Sequence, residues 1–256
     1  DLVRSRGLGD VYKRQDRMLD MGFIDDVEQI ISECPRNRQT LLFSATISRE
    51  VAHLARKYMK EPINVSAEAY VDPTKLTQFY YDVPDDLKFS LLVHLLNHEK
   101  AGLVMVFCNT RKNTDFVANN LQAAGIDALA IHGGLTQEKR NRVMEHFHSR
   151  NVCILVCTDV AARGLDIPGV SHIYNYDIPK YSKDYIHRIG RTAHGPGKEG
   201  IAINILSSRD YDSFRRVMRS NEVTITEERM PEVKKVRMGW KESPKTFRPR
   251  HRPYRS

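Results

Sequence analysis

A parallel α/β sheet covered by helices on both faces is the architecture this sequence predicts, and three observations carry it. Short apolar runs of strand length stand at Leu103–Phe107, Ala128–Ile131, Val152–Val156, His172–Tyr176 and Gly200–Leu206, each rich in branched or aromatic residues. Stretches with helical spacing alternate with them. Leu91, Leu92, Leu95 and Leu96 share one face, as do Phe116, Val117, Asn120 and Leu121, and then Val143, Met144 and Phe147. Strands that are apolar throughout leave neither face for water, so helices must cover both. Such a sheet binds ligands at the carboxyl ends of its strands, which directs attention to the residues just after each run.

The 256 residues suffice for one large domain or two small ones with a sizeable core. A hydrophobic share of 41% and a charged share of 28% are those of an ordinary globular protein rather than a disordered chain. No run of 18 or more apolar residues is present, so no membrane partner is expected. The first residues lack the apolar stretch of a secretory signal, and a cytoplasmic location and a monomer are expected. Of the cysteines Cys34, Cys108, Cys153 and Cys157, none forms a C-x-x-C pair. Cys108, Cys153 and Cys157 sit in apolar runs, which predicts buried reduced thiols rather than a disulfide or a metal site. A formal charge of +8 and a pI near 9.3 fit a polyanion partner, although many basic proteins bind no nucleic acid.

Before the five runs, Thr40–Phe43 reads as a strand between helices at about 25–33 and 49–58, with Pro62 closing the second. A short run, Ile63–Val65, follows. Residues 16–68 thus read as the later part of one α/β domain, 69–75 as a linker with a turn at Asp72-Pro73, and 76–221 as a second domain. Residues 222–256 read as a basic, disordered tail. Lys234, Lys235, Arg237, Lys241, Lys245, Arg248, Arg250, Arg252 and Arg255 face only Glu232 and Glu242 from Pro231 on, with Trp240, Phe247 and Tyr254 between and no apolar period. Such a tail either holds phosphates without sequence preference or is merely solvated.

The strand ends carry distinctive chemistry. Cys108-Asn109-Thr110-Arg111 follows the first run of the second domain, and His132-Gly133-Gly134-Leu135, Gln137 and Arg140 follow the next. Thr158 to Asp166 follows the third, and His187-Arg188-Ile189-Gly190-Arg191-Thr192 lies after a helical stretch. Gly133, Gly134 and Gly164 let a backbone approach a ligand closely. Thr110 and Thr158 offer hydroxyls and amides at strand-to-helix junctions, where phosphate is attracted. Arg188 and Arg191, three apart, are expected to point the same way, outward, and suit a phosphate chain as well as they suit solvated surface charge.

In combination these segments resemble the motifs of the DEAD-box RNA helicases, in the family's order, from Asp16 to about Asn221. Ser44-Ala45-Thr46 is similar to the third motif, Val106–Arg111 to the fourth, and His132-Gly133-Gly134 with Gln137 and Arg140 to the next. Thr158 to Asp166 matches the fifth, and His187 to Ala193 the sixth. The resemblance implies RecA-like domains of the P-loop NTPase helicase type, an ATP-dependent RNA helicase or RNA-stimulated ATPase, ATP with Mg²⁺ as cofactors, and RNA as partner, with or without helper proteins. It also implies roles. Arg188 and Arg191 would act as arginine fingers on the γ-phosphate. Asp166 would hold the ribose, with Arg163 and Gly164 at the same cleft. His187 would pair with Ser44–Thr46. Thr110, Arg111, Gly133, Gly134, Gln137, Arg140 and Thr158 would contact RNA without a base code. Taken singly, Gln137 and Arg140 also fit a helix cap, Asp166 a turn before Ile167-Pro168, Thr192 a structural bond and Ser44–Thr46 an ordinary loop.

The pattern breaks at the start. Asp16 to Phe23 resembles the segment ending the D-E-A-D box, yet Lys13-Arg14-Gln15 stand where Asp-Glu-Ala would, and no G-x-x-x-x-G-K-[ST] occurs. Residues 1–15 are therefore expected to be a non-native lead, with the intact protein an enzyme and this chain an RNA-binding module without hydrolysis. His194 also stands where the family has arginine. A nicotinamide-binding fold is disfavoured because no G-x-G-x-x-G follows a strand.

Overall fold

The computed structural model describes residues 24–35, 37–42, 49–65, 76–99, 101–162, 165, 167, 169–192, 200–220 and 224–239. Contacts divide the chain into two compact units, 1–68 and 69–256.

The first unit contributes helices α1 (Ile24–Glu33) and α2 (Arg49–Tyr58). Lys57 Nζ donates to Glu28 Oε1 at 2.8 Å, joining the two, and this bond holds the Glu28 carboxyl below its usual range. Leu54 is buried against Leu42 and Tyr58. Thr40–Leu42, expected in a strand, are not in one, because no partner strand exists for a ladder among the described residues of this unit. Phe43 lies outside the described residues, as do residues 1–23, the linker 69–75 and residues 240–256.

The second unit is the α/β sheet. Its elements are β1 (Leu76–Asp82), α3 (Lys88–His98), β2 (Leu103–Phe107), α4 (Arg111–Ala123), β3 (Ala128–Ile131), α5 (Gln137–His148), β4 (Ile154–Cys157), the single turn α6 (Asp159–Ala162), β5 (Val170–Asn175), α7 (Ser182–Ile189), β6 (Gly200–Leu206), α8 (Tyr211–Ser220) and β7 (Thr226–Glu227). The strands form one seven-stranded sheet in the order β3-β4-β2-β5-β6-β1-β7, every pair parallel. The alternation of side chains splits the core into two layers. Leu103, Met105 and Phe107 of β2 face one layer with Phe147, Tyr185 and Val217, while Val104 and Val106 face the other with Leu91, Leu92, Val117 and Leu121.

Local chemistry sets the helix ends. Thr110 and Thr136 precede α4 and α5 in extended conformation, and their hydroxyls accept from the Asn113 and Lys139 amides at 3.1 and 3.4 Å. Each such cap stabilises by about 1 kcal/mol. Gly125, at φ 81°, ends α4: its amide donates to the Gln122 carbonyl and that of Ile126 to Leu121, a reversal that glycine makes without steric cost. Lys88 at the start of α3 is fully buried and donates to Asp210 Oδ2 at 2.5 Å; the same oxygen accepts from the Ser207 amide and hydroxyl at 3.0 Å.

Several expectations are corrected. The third run pairs from Ile154 rather than Val152, and the fourth begins at Val170 and stops before Tyr176. β1, not expected from its polar-rich Leu-Thr-Gln-Phe-Tyr-Tyr-Asp, is drawn into the sheet by full-length pairing with β6. Cys108 and Cys157 are buried, and burial pushes both thiols up, but Cys153 is exposed because it precedes β4. No helix among the described residues is long and apolar enough to cross a membrane.

The basic tail is also corrected over 224–239. β7 pairs with β1, and the chain then crosses α3 and α4 as a strap. The Val236 amide donates to Ser90 Oγ at 3.0 Å, Lys235 Nζ meets Asp86 Oδ2 at 2.5 Å, and the Gly239 amide donates to Asn120 Oδ1 at 2.9 Å. Met230, Val233 and Val236, each three residues from the next, pack on the core, a short repeat in a stretch otherwise dominated by charge. Replacing Val233 and Val236 together by alanine is expected to lower stability by about 1–3 kcal/mol with the denaturant slope unchanged, read from urea unfolding curves.

Candidate functional site

The strand order places the point where connections diverge between β2 and β5. β2 leads to β3 on one side and β5 leads to β6 on the other. In open α/β sheets that crevice, at the carboxyl ends, is where ligands sit. Here it is filled by Arg188.

Arg188 is 1% exposed. Its Nε and Nη2 donate to Oδ1 and Oδ2 of Asp159 at 2.6 and 2.8 Å, a two-bond fork. Nη2 donates also to Asn109 Oδ1 at 2.9 Å, and Nη1 donates to Asn175 Oδ1 at 3.1 Å and to the Asp177 carbonyl at 2.5 Å. The guanidinium carbon lies 5.1 Å from the centroid of the Phe107 ring. All five N–H donors of the group are thereby used. The expected outward pair of arginines is corrected at this residue: Arg188 faces the interior and has no donor left for a phosphate. The spacing argument failed because α7 ends at Ile189, so Arg191 lies beyond the helix, past Gly190, in a tighter turn where its amide donates to the Arg188 carbonyl. Arg191 is half-buried, with Nη1 donating to the Leu165 carbonyl at 2.9 Å. His187 is half-buried on α7.

A line of buried polar groups continues from Arg188 across the sheet. Asn175 Nδ2 donates to Asn204 Oδ1 at 2.9 Å; Asn204 Nδ2 donates to the Tyr185 hydroxyl at 3.2 Å and to the Phe79 carbonyl at 3.1 Å; the Tyr185 hydroxyl donates to Gln78 Oε1 at 2.8 Å. Burial raises the Tyr185 hydroxyl far above its ordinary pKa, so it remains a donor. Asp177 Oδ2 accepts from the Asn109 amide and from Asn113 Nδ2 at 2.9 and 2.6 Å, tying the loop after β5 to the start of α4. Sequence reasoning missed Asn109, Asp159, Asn175, Asp177 and Asn204. Asn175 and Asn204 each interrupt an apolar run and are register partners in β5 and β6, a signal that was available.

The loops after β2, β3 and β4, three adjacent strands, bring Thr110, Arg111, Gly133, Gly134 and Thr158 to one end of the sheet. A Cβ on Gly133 would lie 3.4 Å from Arg111 Nη2, so the exposed guanidinium rests against that glycine. A Cβ on Gly134 would come within 3.0 Å of His132 Nδ1, which accepts from the Gly134 amide at 3.1 Å while Nε2 meets Asp115 Oδ1 at 2.9 Å. Thr158 is buried, and its carbonyl accepts from the Ala161 and Ala162 amides. Gln137 is exposed at the first turn of α5 and donates to Asn141 Oδ1 at 2.9 Å; Arg140 is half-buried one turn on. Thr192 is buried, its hydroxyl donating to the Val170 carbonyl at 2.7 Å. Ser44, Thr46, Arg163, Gly164 and Asp166 lie outside the described residues. Among the described residues no group of three or more His, Cys, Asp or Glu is placed to hold a metal ion.

The chain matches two family models: one described as helicase conserved C-terminal domain over residues 87–195, and one described as DEAD/DEAH box helicase over residues 14–54. The DEAD-box ATP-dependent RNA helicase CshA of Bacillus subtilis is 42% identical over 208 residues, 81% of this chain and 42% of the relative. The chain thus spans about two fifths of the curated relatives it matches. Among solved structures, the E. coli DEAD-box protein SrmB bound to the regulator of ribonuclease activity A is 39% identical with a TM-score of 0.57, covering 60% of this chain and 91% of that one. S. cerevisiae Dbp5 bound to RNA and ADP BeF3 is 28% identical with a TM-score of 0.74, covering 85% of this chain and 58% of that one.

Breaking a buried ion pair by removing one partner costs about 3–5 kcal/mol, whereas a partly exposed hydrogen bond contributes about 1 kcal/mol. Urea denaturation should therefore find Arg188→Ala destabilising by the larger amount and Arg191→Ala by less.

Proposed function

Because the chain belongs to the DEAD-box helicase family, we propose that the intact protein is an ATP-dependent RNA helicase whose second unit grips single-stranded RNA through the loops after β2, β3 and β4. The observation that carries this reading is the convergence of Thr110, Arg111, Gly133, Gly134 and Thr158 at the ends of three adjacent strands. The capped start of α4, the Arg111 guanidinium and the close-approach glycines form a surface suited to a phosphate–sugar backbone. Such contacts carry no base code, so affinity should vary little with RNA sequence. Gln137 and Arg140 extend the same surface along α5. Dbp5, whose structure was determined with RNA and ADP BeF3, supports both ligands by analogy.

For ATP the described residues offer less. Arg191, partly accessible just past α7, is the arginine we assign to a nucleotide phosphate; Arg188, with its donors used, is not. Asp166, Arg163, Gly164, His187, Ser44 and Thr46 retain their expected roles by resemblance only. When bound, ATP with Mg²⁺ would supply the phosphoryl group whose hydrolysis resets the grip. Helper proteins remain part of the proposal, on the precedent of SrmB with its regulator.

A filter-binding titration of this chain with single-stranded RNA should give an affinity that falls steeply with salt, and Arg111→Ala should reduce the slope of log affinity against log salt by about 0.7. Affinity that ignores salt would overturn the reading. In a parallel assay the 256-residue chain should release no phosphate in response to RNA. It has no G-x-x-x-x-G-K-[ST] run, and Lys13-Arg14-Gln15 stand before Asp16.

A further inference from the structure

Two of the three side chains that Arg188 bonds to lie beside residues of the proposed RNA surface. Asn109 immediately precedes Thr110 and Arg111, and Asp159 immediately follows Thr158. Arg188 itself belongs to α7, between His187 and the turn that holds Arg191. The Asp177 carbonyl and Asn175 complete the set, and Asp177 in turn holds the Asn109 amide. A guanidinium is planar and its five donors are fixed relative to one another, so a shift of one acceptor cannot be absorbed without disturbing the others.

We propose that Arg188 is a positioning residue that mechanically joins the RNA-binding loops after β2 and β4 to α7. RNA seated on Thr110, Arg111 and Thr158 thereby orders the helix that carries His187 and, with it, the turn that holds Arg191. The inference rests on the RNA reading above. It differs from a purely structural role, which would hold the fold together equally with and without RNA. Asn109 offers the cleanest point of interruption. Its Oδ1 accepts from Arg188 Nη2, while its Nδ2 donates to the Ile178 carbonyl at 2.8 Å. Asn109→Asp and Asn109→Leu both lose the bond to Ile178, but only the leucine variant loses the acceptor for Arg188.

The test is amide hydrogen exchange in Ser182–Ile189 of the full 256-residue chain, with and without a short single-stranded oligouridylate at saturating concentration. In the wild-type chain RNA should slow exchange in α7 by about fivefold or more, the low end of ordinary coupling between sites. Asn109→Leu should still bind the oligonucleotide yet lose that slowing, and Asn109→Asp should retain it. Bound RNA that leaves α7 exchange unchanged in the wild-type chain, or slowing that survives in Asn109→Leu, would overturn the coupling and leave the RNA surface intact. A wild-type chain that fails to bind the oligonucleotide would overturn the RNA reading, and the coupling with it.

Discussion

One cation removed from water organises the carboxyl end of the second unit. A buried guanidinium is tolerable only when its charge is neutralised and each donor is met. Arg188 satisfies both conditions by drawing on Asn109, Asp159, Asn175 and the Asp177 carbonyl, which come from segments following or ending β2, β4 and β5. A lysine would bring one point charge and three donors with no fork, and would leave two of these acceptors without a partner. The arrangement of the loops is therefore a consequence of the arginine as much as of the sheet beneath it.

This has an effect on where ligand chemistry can occur. The crevice between β2 and β5, the usual seat of a ligand in a doubly wound sheet, is occupied by protein. What remains accessible is the outer rim: Thr110 and Arg111 at the start of α4, the two glycines after β3, and Arg191 past the end of α7. The line from Asn175 through Asn204 and Tyr185 to Gln78 ties the same hub to β6 and β1, so the rim rests on a polar layer that spans much of the sheet.

Much of this was legible in the residues. All five apolar runs lie mainly within strands, and the strand at Val152–Val156 begins two residues later than the run and ends one residue later. The strand ends drew attention to the right loops. What could not be read were features decided by tertiary pairing. β1 is polar at alternate positions and becomes a strand only because β6 lies alongside it. The strap over 224–239 is basic and contains Pro231, and only Met230, Val233 and Val236 reveal its packed side. Arg188 was misjudged because an i, i+3 rule holds only while the helix continues, and α7 stops one residue later. The polarity of Asn175 and Asn204 within apolar runs was the overlooked clue to a buried acceptor network.

The position of β1 has a bearing on how the chain acquires its fold on the ribosome. Both of its sheet neighbours, β6 and β7, are encoded about 120 and 150 residues later. At a synthesis rate of roughly 5–20 residues per second, β1 waits on the order of 6–30 seconds with two bare hydrogen-bonding edges. Over that interval Phe79, Tyr80 and Tyr81 are open to non-native association, and the nascent polypeptide is a natural client for chaperones that shield aromatic segments.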